Sequence, residues 1–249
     1  MKYNWNWGVF LQMSPDGVHT YLGTLLIGTG WTLATALCAW CLALAMGSLV
    51  GVIRTTPHPW LVRVGDAYVE LFRNIPLLVQ MFLWYFVLPE LLPTALGDWL
   101  KQLPDASFYT AVIALGFYTS ARIAEQVRAG ILSLARGQRM AALALGLTLP
   151  QTYGYVLLPM AYRIILPPLT SEFLNVIKNS AVALTIGLME LTASARAMQE
   201  LTFQVFEAFT AATVIYIVIN IVVTFGMRWI ERRAAVPGLI GAVPAAATH

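Results

Sequence analysis

Residues 22–53 carry no charge at all, and Arg54 is the residue that ends the run. A bilayer is crossed by about 20 consecutive apolar residues, and a stretch this long has no polar face to turn toward water. Lipid is therefore the solvent that the sequence implies. The remainder of the chain agrees, because 59% of its 249 residues are hydrophobic and only 11% are charged, against about 25% charged in soluble domains. A net charge of +3 is too small to suggest a nucleic-acid partner. Cys38 and Cys41 have redox-pair spacing, but inside this apolar run they read as two small helix residues, not as a thiolate or metal site.

After Arg54, Thr55-Thr56-Pro57-His58-Pro59 breaks the first helix. Residues 60–72 mix apolar side chains with Arg63, Asp66 and Glu70 and are expected at the membrane interface. Further spans are expected over residues 75–92, 108–123, 169–188 and 209–230, the fourth being the most polar. Residues 1–13 lack the basic and apolar regions of a cleaved signal peptide, and the tail after Ala234, rich in Ala, Gly and Pro, reads as disordered.

Basic residues set the orientation. Arg54 and Arg63 follow the first span; Arg128, Arg136, Arg139 and Arg163 separate the third from the fourth; Arg228, Arg232 and Arg233 close the fifth. The alternate connections are poorer in cations, with Lys101 set against Glu90, Asp98 and Asp105, and Arg196 against Glu200 and Glu207. The basic segments share one side if there are about five spans, which puts the N-terminus outside and the C-terminus in the cytoplasm. No internal repeat supports the architecture of a two-half carrier.

The connection between the third and fourth spans is patterned. Its run GQRMAALAL predicts a helix with a small-residue face at Ala141, Ala142 and Ala144. Gly146 suits a left-handed C-cap, and Thr148 with Gln151 forms a capping box for a second short helix, which Pro159 is expected to end before Pro167 and Pro168 break the chain again. A solvated connector has no need of alanine and leucine on most sides of such a helix, so a knob that docks into another protein is the better reading.

The stretch AALALGLTLPQTYGYVLLP resembles the EAA loop of binding-protein-dependent ABC importer permeases, through Ala141, Ala142, Gly146, Leu158 and Pro159. The segments YVELFRNIPLLVQMFLWYF, ARIAEQVRAG, PPLTSEFLNVIKNSAVALTIGLMEL and ARAMQELTFQVFEAF are similar to the polar amino-acid subfamily, and in detail to glutamate/aspartate importer permeases. This resemblance implies an all-α, polytopic type I ABC importer permease in the bacterial inner membrane, with the permease domain over residues 28–233 and a coupling loop over 137–159 that docks on an ATPase. Residues 1–27 would then be a periplasmic segment and the start of the first span, and 234–249 a cytoplasmic tail. The implied partners are a homologous second permease, two ATP-binding subunits holding ATP and Mg, and a periplasmic amino-acid-binding protein. The pattern departs at Met140, where the family usually carries Glu, so the docking helix keeps its shape without an ionic contact there.

Ionisable groups at membrane depth cost at least about 2.5 kcal/mol on insertion scales, so each calls for a reason. Lys178, flanked by Asn175 and Asn179 near the middle of the expected fourth span, either lines a path for an acidic solute or pairs with a carboxylate on a neighbouring helix; Glu172 falls near the cytoplasmic start of that span. Glu70 with Arg73, and Arg122 with Glu125, are three residues apart and can neutralise each other locally. Their expected role is anchoring, with a gate or partner contact as the other reading. No catalytic centre is expected: His19, His58 and His249 lie outside the spans, and the sequence has neither H-E-x-x-H nor G-x-x-x-x-G-K-[ST]. A stand-alone carrier or channel remains an alternative, although it leaves the docking-shaped loop without a purpose.

Overall fold

The computed structural model describes residues 3–234, which are helical throughout save for short connections and one antiparallel bridge between Met13 and Thr20. The helices are α1 (Tyr21–Ile53), α2 (Pro59–Asn74), α3 (Leu77–Phe82), α4 (Leu88–Leu91), α5 (Thr94–Lys101), α6 (Ala106–Leu132), α7 (Arg136–Ala144), α8 (Leu149–Thr152), α9 (Leu158–Asn179), α10 (Leu191–Thr202) and α11 (Val205–Ala234). A π-helical turn, Leu83–Val87, fuses α3 to α4, and a second, Tyr153–Leu157, fuses α8 to α9. The expected tail after Ala234 lies outside the described residues.

By length and apolarity, α1 and α11 each suffice to cross a membrane, and two bent helix pairs pass together. In the first, α2 meets the rod Leu77–Leu91 at 101°; in the second, the rod Leu149–Ile186 meets α10 at 50°. The fifth rod is α6, whose 27 residues extend about 40 Å against a hydrocarbon layer of about 30 Å. The helix is longer than the expected third span. The helix runs on through Arg122, Glu125 and Arg128, since charged residues can leave the lipid layer without ending a helix.

The fourth span needs a larger correction. Pro159 does not end a helix; it stands in the first turn of α9, and Pro167 and Pro168 lie inside that helix. Pro159 follows the π turn Tyr153–Leu157, where the hydrogen-bond ladder of the rod is already shifted. Interior prolines are tolerated in membrane helices because neighbouring helices support the freed carbonyls. The short second helix and the fourth span are therefore one continuous rod, Leu149–Ile186, completed by the 3-10 segment Ser180–Ile186.

The core forms where α1 lies along α6. Both are apolar on nearly every side, so hydrophobicity alone picks no face; size does. On α1 the buried positions include Gly28, Thr32, Ala36, Ala39, Ala43, Gly47 and Gly51, which recur every three or four residues. A Cβ at Gly47 would come within 2.7 Å of the Ile123 side chain and 2.8 Å of the Ser120 carbonyl, and one at Gly51 within 2.7 Å of Val127 and 2.9 Å of the Ala124 carbonyl. Backbones this close gain dispersion contacts that lipid cannot supply. The α9 rod packs on the same core through Ala161, Ile165, Leu169, Val176 and Ile177.

Gly47→Leu is expected to wedge α1 from α6 and to lower the detergent-solubilised thermal stability, at a cost of about 1–3 kcal/mol or more from overpacking. Gly226→Leu, where a Cβ would meet nothing within 4 Å, should leave the melting temperature unchanged.

Candidate functional site

Two features converge at one end of the bundle, a protruding helix–turn–helix and a charged hub. The protrusion starts with α7. Gly146 follows with φ +84°, a backbone conformation that costs a side-chain-bearing residue about 1–2 kcal/mol. Leu147 N–H donates to the Ala142 carbonyl at 3.2 Å and Gly146 N–H to the Leu143 carbonyl at 3.0 Å, which together make a Schellman cap. The expected capping box is present, with Gln151 N–H donating to Thr148 Oγ1 and Thr148 N–H to Gln151 Oε1.

Of the five residues that carry the loop resemblance, Ala141, Gly146 and Pro159 are exposed, Leu158 is half-buried, and Ala142 is 4% exposed and faces its own chain. The outward surface is completed by Met140, Leu143 and Leu145, at 70%, 43% and 83% exposure. The knob therefore presents large apolar side chains beside the exposed small residues Ala141, Ala144 and Gly146. At its base, Tyr153 Oη donates to the Thr55 carbonyl at 2.8 Å and lies 3.0 Å from Thr55 Oγ1. This link between the second rod and the end of α1 has no sequence signal; Tyr155, two residues on, reads the same and is 76% exposed.

Next to Thr55, the Arg54 side chain is 5% exposed and ties three helices together: Nε donates to Asp66 of α2 at 2.7 Å and Nη2 to Glu125 of α6 at 3.0 Å. Burial alone would lower the guanidinium pKa, but the bonds from Asp66 and Glu125 outweigh it and hold the pKa above its ordinary value. Arg73 adds a longer contact to Glu125 at 3.8 Å. The local pairs expected from spacing are not formed. Arg122 Nη1 instead lies 3.8 Å from Glu172 on α9, and its Nη2 donates to Tyr118 at 2.7 Å. Glu70 is exposed beside the hub, and among the described residues no ion pair includes it. Pairing across helices follows from packing, which sets Arg54 between α2 and α6 and Glu172 of α9 beside α6.

The four residues expected along one path are divided. Glu172 is half-buried between α9 and α6, near Arg122 and Gln126, with Asn175 three residues further along the same helix. It lies well inside α9, which begins at Leu158. Lys178 is six residues further on and faces another way, into an open groove with Thr213, Tyr216, Asn220, Thr224 and Arg228 of α11. It stands in the last turn of α9, where a cation also meets the negative end of the helix dipole. Asn179 is partly buried at that same end.

Sequence reasoning missed Glu190. Its carboxylate is fully buried and caps α10, accepting from Thr192 N–H at 2.9 Å, Ala193 N–H at 2.8 Å and Tyr216 Oη at 3.0 Å, with Thr32 of α1 at 3.4 Å. Glu207, expected at the entrance of the last span, is buried in the first turn of α11, where Tyr3 Oη and Asn6 N–H donate to it.

Replacing Arg54 by Met is expected to destabilise the solubilised protein by roughly 2 kcal/mol, a moderate loss because the carboxylates left unpaired, Asp66 and Glu125, are 39% and 36% exposed. Thermal melts of Arg54→Met beside Arg54→Lys read the effect, and Lys, which keeps charge but not the forked geometry, should recover only part of it.

Residues 43–236 match the family described as the binding-protein-dependent transport system inner membrane component. The chain is 50% identical over 244 residues to the glutamate/aspartate import permease protein GltJ of Escherichia coli K12, covering 97% of this chain and 99% of that one. It is 36% identical over 223 residues to the probable glutamine ABC transporter permease protein GlnM of Bacillus subtilis 168, covering 89% and 93%. A solved structure described as the crystal structure of an amino acid ABC transporter with histidines superposes with a TM-score of 0.72 at 31% identity, over 86% of this chain and 95% of that one. The polytopic all-α permease fold expected from the sequence is thus met. The chain belongs to the inner-membrane permease components of binding-protein-dependent ABC transport systems, and it is a transport subunit whose ATP hydrolysis is carried out by a separate protein.

Proposed function

We propose that this chain is one permease of an ATP-driven importer that carries glutamate and aspartate into the cytoplasm. Its partners in this reading are a homologous second permease, two ATP-binding subunits that hold ATP and Mg, and a periplasmic amino-acid-binding protein. The observation that carries the proposal is the capped apolar knob of Met140, Leu143 and Leu145 at the foot of the rod Leu149–Ile186. An ATPase that grips this knob moves a stiff lever reaching into the core. Nucleotide-driven closure is then converted to helix tilt, the rigid-body mode by which packed helices exchange between two states. Ala141 and Gly146 contribute to the docking surface, while Ala142 and Leu158 hold it to the subunit.

The substrate assignment draws on the 50% identical relative and on the groove that presents Lys178. An acidic amino acid needs a cation on its path, and Lys178 is accessible and partnered by no carboxylate among the described ion pairs. Asn175, Asn179 and Glu172 lie on adjoining faces as supports. Arg73, Arg122, Glu70 and Glu125 line the end that carries the hub, where a gate and an anchor are served by the same ion pairs. The distribution of arginines supports an N-terminus outside and a hub in the cytoplasm.

Uptake of labelled glutamate, aspartate, glutamine and arginine by vesicles holding the whole assembly tests the proposal; accumulation without ATP, or preference for a neutral or basic amino acid, would overturn it. In the same assay Gly146→Leu should insert normally yet lose most uptake together with ATPase stimulation, because a leucine at φ +84° opposes the cap by about 1–2 kcal/mol and reshapes the docking face. Lys178→Ala should cut acidic amino-acid uptake about tenfold or more without loss of assembly, as expected for one charge-assisted contact.

A further inference from the structure

The helix α2 presents three distinct faces. Successive residues advance by about 100°. Trp60, Val64, Ala67 and Leu71 therefore fall within an arc of roughly 60°, and Arg63, Glu70 and Asn74 within a second arc of roughly 40° beside it. The third face, with Gly65 and Val69, is buried against the bundle. The first arc is apolar and bare: Trp60, Val64 and Leu71 are 64%, 61% and 55% exposed. The second arc is polar and also exposed.

Its placement says what covers the apolar arc. Asp66 is bonded to Arg54 at the end of α1, and the adjacent Thr55 is bonded to Tyr153 at the foot of the second rod, so α2 sits at the same end of the bundle as the protruding knob. There it turns by 101° into the rod Leu77–Leu91. A helix at right angles to that rod, at the end of the bundle, is placed to lie along the membrane surface. Leu78, Val79 and Phe82 of that rod are exposed as well.

We propose that α2 is an interfacial helix docked on the lipid bilayer, with Trp60, Val64 and Leu71 in the boundary between headgroups and acyl chains and Arg63 and Asn74 in the aqueous layer. The separation of arcs matches the membrane-plane mode of amphipathic helices, in which an apolar face is buried and long basic side chains reach the headgroups. The helix would then fix the depth of the Arg54 hub relative to the bilayer surface.

The test uses the assembled transporter in lipid nanodiscs, with Cys38 and Cys41 replaced by alanine and a fluorophore attached at Val64→Cys, Leu71→Cys, Arg63→Cys or Asn74→Cys. These four positions are exposed, and retained uptake confirms that each labelled assembly is intact. Lipids brominated along the acyl chain should quench the labels at 64 and 71 at least twofold more than those at 63 and 74, and aqueous iodide should give the reverse order. Equal iodide quenching at all four positions would place the apolar arc in water and overturn the proposal. Protection of 64 and 71 from both quenchers would also overturn it, and would assign the arc to a protein partner instead.

Discussion

Close approach of α1 to α6 is the constraint on which the other contacts depend. Lipid chains are as apolar as the helices, so burial by itself brings nothing together; the gain comes from atoms packed more densely than lipid can manage. Gly47 and Gly51 let the backbones meet at the Ser120 and Ala124 carbonyls. At one end of this seam Arg54 gathers α2 and α6; further along α1, Thr32 reaches the carboxylate that caps α10. Spread the seam by a side chain and both ties lose their geometry.

Charge at the ends and within the bundle follows a second rule. Ion pairs run across helices, Arg54 with Asp66 and Glu125, and Arg122 with Glu172 although Glu125 lies three residues away on its own helix. Such pairs join elements that local pairs would leave independent. Each one costs desolvation, so it holds only where the partners' geometry is already set by packing. Glu190 goes further, since its buried carboxylate is met by two backbone N–H groups at a helix start and by the Tyr216 hydroxyl, which brings α10 and α11 together at one point.

The knob and the rod behind it combine a rigid cap with an unbroken lever. Chemistry at the turn is local: a glycine in the left-handed region, a Schellman pair of hydrogen bonds and a capping box. Continuity of the lever is not. The π turn Tyr153–Leu157 and the prolines at 159, 167 and 168 sit inside one rod because flanking helices support it, and Tyr153 fastens its foot to Thr55. A load applied to the knob thus reaches the core and the Arg54 hub by bonded and packed contacts.

Local rules were sufficient for much of this. An uncharged run ended by Arg54 set the bounds of α1 to within a residue, and Gly146, Thr148 and Gln151 set the turn, because caps and spans depend on residues near one another in the chain. Residues 141–159 likewise carried the family. What only the tertiary structure decided was which way each polar group turns. Glu172 and Lys178 share a helix yet face different neighbours; Arg122 finds Glu172 and not Glu125; Ala142 is hidden while Ala141 is bare. Proline can end a helix in water and be carried through one in a supported membrane bundle, and spacing cannot distinguish these cases. Such choices depend on the low-dielectric space between helices, which exists only after the helices have packed.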